Sequence, residues 1–200
     1  MKKKDDDSIP RKRNRRWIFI TTFWTFLMAV FFSLITENLM SNLDILAAFL
    51  ILIVIIFIGI IFDIIGIAVT ASDEKPFHAM AANKVEEAKY AVKLIRNAGQ
   101  VSNFCNDVIG DICGIISGAA GTTIIYKLIE RYDFKSATML SIIVTALIAS
   151  FTVGGKAIGK GIAMDNSEKI IFQISKMLKF IENNFKMNIL HEGKRKNGIR

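Results

Sequence analysis

The chain has 200 residues, 52% of them hydrophobic, with a mean hydropathy of +0.40 and a formal net charge of +8. Its apolar residues stand in long uncharged runs between charged blocks, which excludes an ordinary soluble domain and a disordered chain. Two cysteines in this length exclude a disulfide scaffold. A hydrocarbon core of roughly 30 Å needs about 20 apolar helical residues, and four runs come close enough to count as membrane helices. The chain opens on a basic stretch, residues 1–16, with eight Lys and Arg. This stretch reads as a topology-fixing segment resting on anionic lipid headgroups. No fold or aromatic platform accompanies it, so nucleic acid is not expected as a partner. Residues 17–35 carry no charge and read as the first membrane helix. No clear small-x-small site follows them, so the helix is expected to be retained rather than cleaved as a signal peptide.

The second run, about 45–70, is interrupted only by Asp63. Beyond it, Ser72, Asp73, Glu74 and Pro76 signal a helix start. Val85, Ala88, Val92 and Ile95 then recur at spacings of three and four, so one amphipathic cytoplasmic helix is predicted over about 77–97. Its apolar face suits either the membrane interface or a partner helix. The third membrane helix, about 104–126, is the least apolar, rich in Gly, Ser and Thr. The fourth, 137–155, is uncharged. The tail, 156–200, holds an amphipathic helix over Ser167 to Leu190 with a stripe of Ile170, Ile171, Ile174, Met177, Leu178, Ile181 and Phe185, then a basic end expected to be disordered from Glu192. Its helix reads first as lying on the inner leaflet, with coupling or oligomerisation as the alternative.

The predicted class is therefore all-α: a polytopic membrane protein with four transmembrane helices plus cytoplasmic amphipathic helices. Four crossings place 23 of the 26 Lys and Arg residues on one side, which predicts a cell-membrane protein with both termini cytoplasmic. Cys105 and Cys113 read as small buried hydrophobes, since no CxxC or Cys/His cluster exists. Without a phosphate loop, nucleophile–base pair or HExxH, no enzymatic apparatus is expected.

Carboxylates inside a bilayer are costly and mark functional sites. Asp63 interrupts the second helix, and Asp107 and Asp111, four apart, share one face of the third. Ser102, Asn103 and Asn106 precede them. Gly110, Gly114 and Gly118 form a four-residue stripe suited to close packing, with the Gly59–Asp63–Gly66 helix as the natural partner. That packing brings up to three carboxylates together, which either share a proton or recruit a cation. Carboxylate, amide and hydroxyl oxygens without His or thiolate suit a hard ion such as Mg2+. The opposing reading has the aspartates protonated or at headgroup level.

The order of these elements resembles the transmembrane domain of the CNNM/CorC-type magnesium and cobalt transporters, including CorB-like bacterial members. The resemblance covers about half the chain, over residues 62–121. Phe62-Asp63-Ile64-Ile65-Gly66 falls at the polar break of a membrane helix. Residues 88–97 resemble the end of the juxtamembrane helix, and Asn106-Asp107-Val108-Ile109-Gly110-Asp111 falls at a Gly-Asn…Asn motif. The resemblance implies a homodimer with a Mg2+ site in each helix bundle. The break lacks the family's Ser and Glu, the helix over 17–35 is additional, and no CBS pair follows. The resulting expectation is divalent-cation transport or homeostasis, with Asp63, Asp107 and Asp111 as the cation site and Ser102, Asn103 and Asn106 supplying neutral oxygens. The rival is a non-transporting scaffold or partner subunit, assembled through the Gly-rich third helix. Convergence of Asp63 with Asp111 separates the two.

Overall fold

A computed structural model describes residues 11–132 and 136–185, all helical apart from short connections. Eight α-helices and one π-helical segment follow in order. They are α1 (Arg11–Ser41), α2 (Ile45–Ala71), α3 (Lys75–Ala82), α4 (Glu86–Arg96), α5 (Ala98–Ser102), the π segment (Asn103–Gly110), α6 (Asp111–Tyr132), α7 (Ala137–Asp165) and α8 (Ser167–Phe185). Four stretches are long and apolar enough to cross a membrane: 22–41, 45–71, 98–132 and 137–165. The protein is thus an all-helical, multi-pass membrane protein. Phe23, Trp24, Leu50, Phe57 and Phe151 are exposed on these helices, as lipid-facing side chains are, because hydrocarbon solvates them.

Two clusters hold the helices together. Met40, Ala48, Leu52, Ile56, Ala120 and Ile124 join α1, α2 and α6 within the membrane part. At the other end, Ala68, Val69, Phe77, Ala88, Ala91, Leu94, Ala163 and Ile171 join α2, α3, α4, α7 and α8. At 27 residues α2 is about 40 Å long, more than the hydrocarbon thickness, so one helix serves both clusters.

The amphipathic helix expected over 77–97 is two helices. Asn83 ends α3, and Lys84 adopts the left-handed conformation with φ 63°, which turns the chain before α4. Periodicity in the sequence did not register this break, because the apolar spacing of Val85, Ala88, Val92 and Ile95 belongs to α4 and its entry alone. Glu86 and Glu87 open α4, and Lys93 and Arg96 close it, each sign at the helix end it favours. The apolar face of α4 is covered by α8, whose Ile171 and Ser175 are fully buried. The tail helix therefore packs on its own chain, and Lys179 bridges to Glu86 at 2.7 Å and Glu87 at 3.2 Å. Met177 is exposed although the stripe included it. The basic end from Glu192 and most of the basic start lie outside the described residues.

Beyond α1, which spans Arg11–Ser41 against the expected 17–35, two further membrane helices are longer than expected. The third runs from Ala98 to Tyr132 through the π segment, and α7 continues ten residues past Gly155 to Asp165. Packing explains the second extension. A Cβ on Gly155 or Gly159 would meet Ile60 at 2.3 Å or Ile64 at 2.8 Å, so α7 lies close on α2 well beyond its uncharged run.

Candidate functional site

Asp63 lies about 27 Å along α2 from Ile45, at 1.5 Å per residue. Lys156 lies at almost the same level, about 28 Å along α7 from Ala137. The starts of these helices belong to one end of the bundle, where Arg131 of α6 pairs with Asp44 at 3.0 Å. The close α2–α7 approach at Gly155 and Gly159 brings Lys156 Nζ to 3.7 Å from Asp63 Oδ1. The two side chains are 29% and 16% exposed. At 3.7 Å the contact is an ion pair beyond direct hydrogen-bond length. Each charge offsets the desolvation of the other, and removing either leaves the remaining one uncompensated.

The π segment forms the third wall. Hydrogen bonding from i to i+5 widens the helix there, a feature that recurs at functional sites. Asn106 and Gly110 turn toward α2. A Cβ on Gly66 would stand 2.0 Å from Asn106 Oδ1, so glycine is needed for the carboxamide to lie against α2. A Cβ on Gly110 would lie 3.5 Å from Lys156 Nζ and 3.9 Å from Asp63 Oδ1, which places this glycine beside the ion pair. Asn106 Nδ2 donates to Ser102 Oγ at 3.2 Å. Asn106 Oδ1 is buried without a hydrogen-bond partner. Such atoms are rare and point to a missing donor or ion.

The structure therefore brings Asp63, Asn106 and Ser102 to one junction. Asp107, Asp111 and Asn103 are exposed. Asp107 and Asp111 each follow by one residue a position that faces α2, and one residue is a turn of about 100° in an α-helix. Among the described residues no three His, Cys, Asp or Glu side chains group so as to hold a metal ion, so the three-acid cluster does not form. The glycine stripe is corrected likewise. A Cβ on Gly110 would make only ordinary contacts, the nearest at 3.4 Å, and one on Gly114 or Gly118 would meet nothing within 4 Å. The close contacts on α2 come instead from Gly59 against Cys113 and Gly66 against Asn106. Cys105 and Cys113 are buried and unbonded, as expected of small hydrophobes.

Lys156 is the junction residue that sequence reasoning missed. It stands one residue past the fourth uncharged run and was counted with the tail. The signal that could have found it is the spacing of Gly155, Gly159 and Ala163, which carries one helix face past the charge. In chemical terms the junction offers a carboxylate, an amide oxygen and a hydroxyl, all hard ligands that fit Mg2+, with an ammonium already beside the carboxylate.

Residues 49–186, more than two thirds of the chain, match the family described as the cyclin M transmembrane N-terminal domain, CNNM. The match begins within α2, so α1 lies outside it. No curated protein and no solved structure matches the chain.

Proposed function

Because the chain belongs to the cyclin M transmembrane N-terminal domain family, we propose that it transports a divalent cation, Mg2+ first and Co2+ second, or controls its level. The cation is the substrate and meets the protein at the junction of α2, the π segment and α7. The observation that carries this reading is the unpartnered, buried Oδ1 of Asn106, held against Gly66 one turn along α2 from the Asp63 carboxylate. An oxygen that accepts no hydrogen bond is a ligand in waiting, and Asp63 supplies the charge. Ser102 holds the Asn106 amide nitrogen and so keeps its oxygen turned away from itself. Asp107, Asp111 and Asn103, exposed on the same membrane helix, act outside this first contact, as an acidic approach to it. Alternating access follows from movement of α7 relative to α2 and the π segment. The working unit is taken as a homodimer with both termini cytoplasmic and the basic segments on anionic lipid.

The scaffold reading keeps two observations in its favour: Asp111 is exposed and does not join Asp63, and the face at Gly114 and Gly118 is open. Metal uptake into proteoliposomes separates the two. Wild type is expected to load Mg2+ above empty vesicles, and Asp63→Asn to fall to their level. Wild-type vesicles that load no more than empty ones would establish the scaffold.

A further inference from the structure

The Asp63–Lys156 pair raises a question that the proposed site alone does not answer. The carboxylate that would draw a divalent cation already faces an ammonium, 3.7 Å away and only 29% exposed. Lys156 has no other ion-pair partner among the described residues. Its position follows from architecture, since Gly155 and Gly159 let α7 lie close on α2 and Gly110 of the π segment stands beside the Nζ group. Lysine is suited to this position. Its charge is compact, its four-carbon stem is flexible, and it does not lock a carboxylate in a bidentate fork as arginine does. The separation is also longer than a hydrogen bond, so the pair can part without breaking one.

We infer that Lys156 is a tethered cation of the α2–π–α7 junction, competing with the free divalent cation for Asp63. This rests on the reading of Asp63 as the cation's carboxylate. An ion can enter only as the ammonium swings away, and the ammonium returns when the ion leaves. Asp63 is then never left uncompensated in the bilayer, the state that costs most. Lys156 thereby sets the affinity of the site and keeps it weak.

The test uses the full chain in detergent, with MgCl2 as probe and choline chloride at matched ionic strength as control. Lys156→Met and Lys156→Gln are expected to bind Mg2+ at least about tenfold more tightly than wild type, the equivalent of about 1.4 kcal/mol. Lys156→Arg keeps the charge and can hold the carboxylate in a bidentate fork, so it is expected to bind Mg2+ no more tightly than wild type. The double variant Asp63→Asn/Lys156→Met loses the gain. A merely structural lysine would destabilise the protein on removal without raising affinity. Folded Lys156→Met and Lys156→Gln proteins with wild-type affinity overturn the inference, as does a gain that survives Asp63→Asn. A readout on the wild type needs no variant to fold: acetylation of Lys156, followed by mass spectrometry, is expected to rise several-fold at saturating Mg2+. Labelling that Mg2+ leaves unchanged overturns the inference. If Asp63→Asn abolishes vesicle uptake while the Lys156 variants bind as wild type does, the carboxylate site stands and the lysine's role falls. If no variant binds and wild type shows no uptake, both fall.

Discussion

Gly66 is the position at which one methyl group decides whether the junction keeps its shape. A Cβ there would overlap Asn106 Oδ1 at 2.0 Å, and the short Asn106 side chain has little room to retreat while Ser102 holds its nitrogen. Gly66→Ala is therefore expected to destabilise the protein by about 1–3 kcal/mol, the usual range for overpacking. Gly114→Ala adds its methyl to open space and removes a helix-interior glycine, so it should be neutral or stabilising by up to about 1 kcal/mol. Thermal midpoints in one detergent check the pair, and equal losses for both would show that Gly66 has no special contact. At this scale the sequence is legible only in part. Asp63 stands out because it alone interrupts the apolar run over 45–70. Asn106 does not stand out from Asp107, because one residue of rotation decides which faces α2, and the π segment that sets the rotation leaves no mark in hydropathy.

The element scale shows how charge docks the tail helix. Lys179 of α8 holds the Glu86 carboxyl below its ordinary value of 4.5, by hydrogen bond and by charge. Glu87 is lowered first by a backbone hydrogen bond and then by Lys179, and Lys179 is itself raised above 10.5 by the two acids. Lowered carboxyls stabilise the docked state above their unfolded value near 4.5, and that support fades as pH falls through the folded value. The raised lysine contributes fully below 10.5 and loses its effect as pH climbs through its higher folded value. The tie between α4 and α8 is thus intact between these limits. Glu86 faces solvent while Glu87 and Lys179 are partly covered, and the tie lies at the protein surface, so the effect is small and screened by salt. The thermal midpoint of wild type should exceed that of Lys179→Met at neutral pH and low salt, and the gap should close below the usual carboxylate range. A gap that persists in acid would mean that Lys179 acts through its stem rather than its charge. The existence of α4 and α8 was readable from their stripes. That the two cover each other was not, because an amphipathic face fits a lipid interface as well as a partner helix.

Over the whole molecule, the four crossings were legible because length and charge exclusion are properties of composition, which the bilayer reads directly. The ends of the crossings were not, because packing extends α7 past Lys156 and a pair of charges neutralises what hydropathy counts as a stop. At the end of the bundle where Asp44 meets Arg131, Lys127 Nζ donates to the carbonyls of Met40, Ser41 and Leu43 and so closes the C-terminal end of α1. That bond ties α1, which precedes the family match, to α6 within it. The same end carries few cations. The two short segments 36–44 and 127–136 hold three Lys and Arg between them, against 23 elsewhere. The charge asymmetry therefore argues that this end faces away from the cytoplasm and that α3, α4 and α8 face into it. A thiol reagent that cannot cross the membrane tests this in a Cys105→Ala/Cys113→Ala background, which removes the two buried thiols. Asn42→Cys, between α1 and α2, should label in intact cells. Asn83→Cys, between α3 and α4, should label only after permeabilisation. The opposite pattern would invert the topology and place the Asp63–Lys156 junction near the outer face.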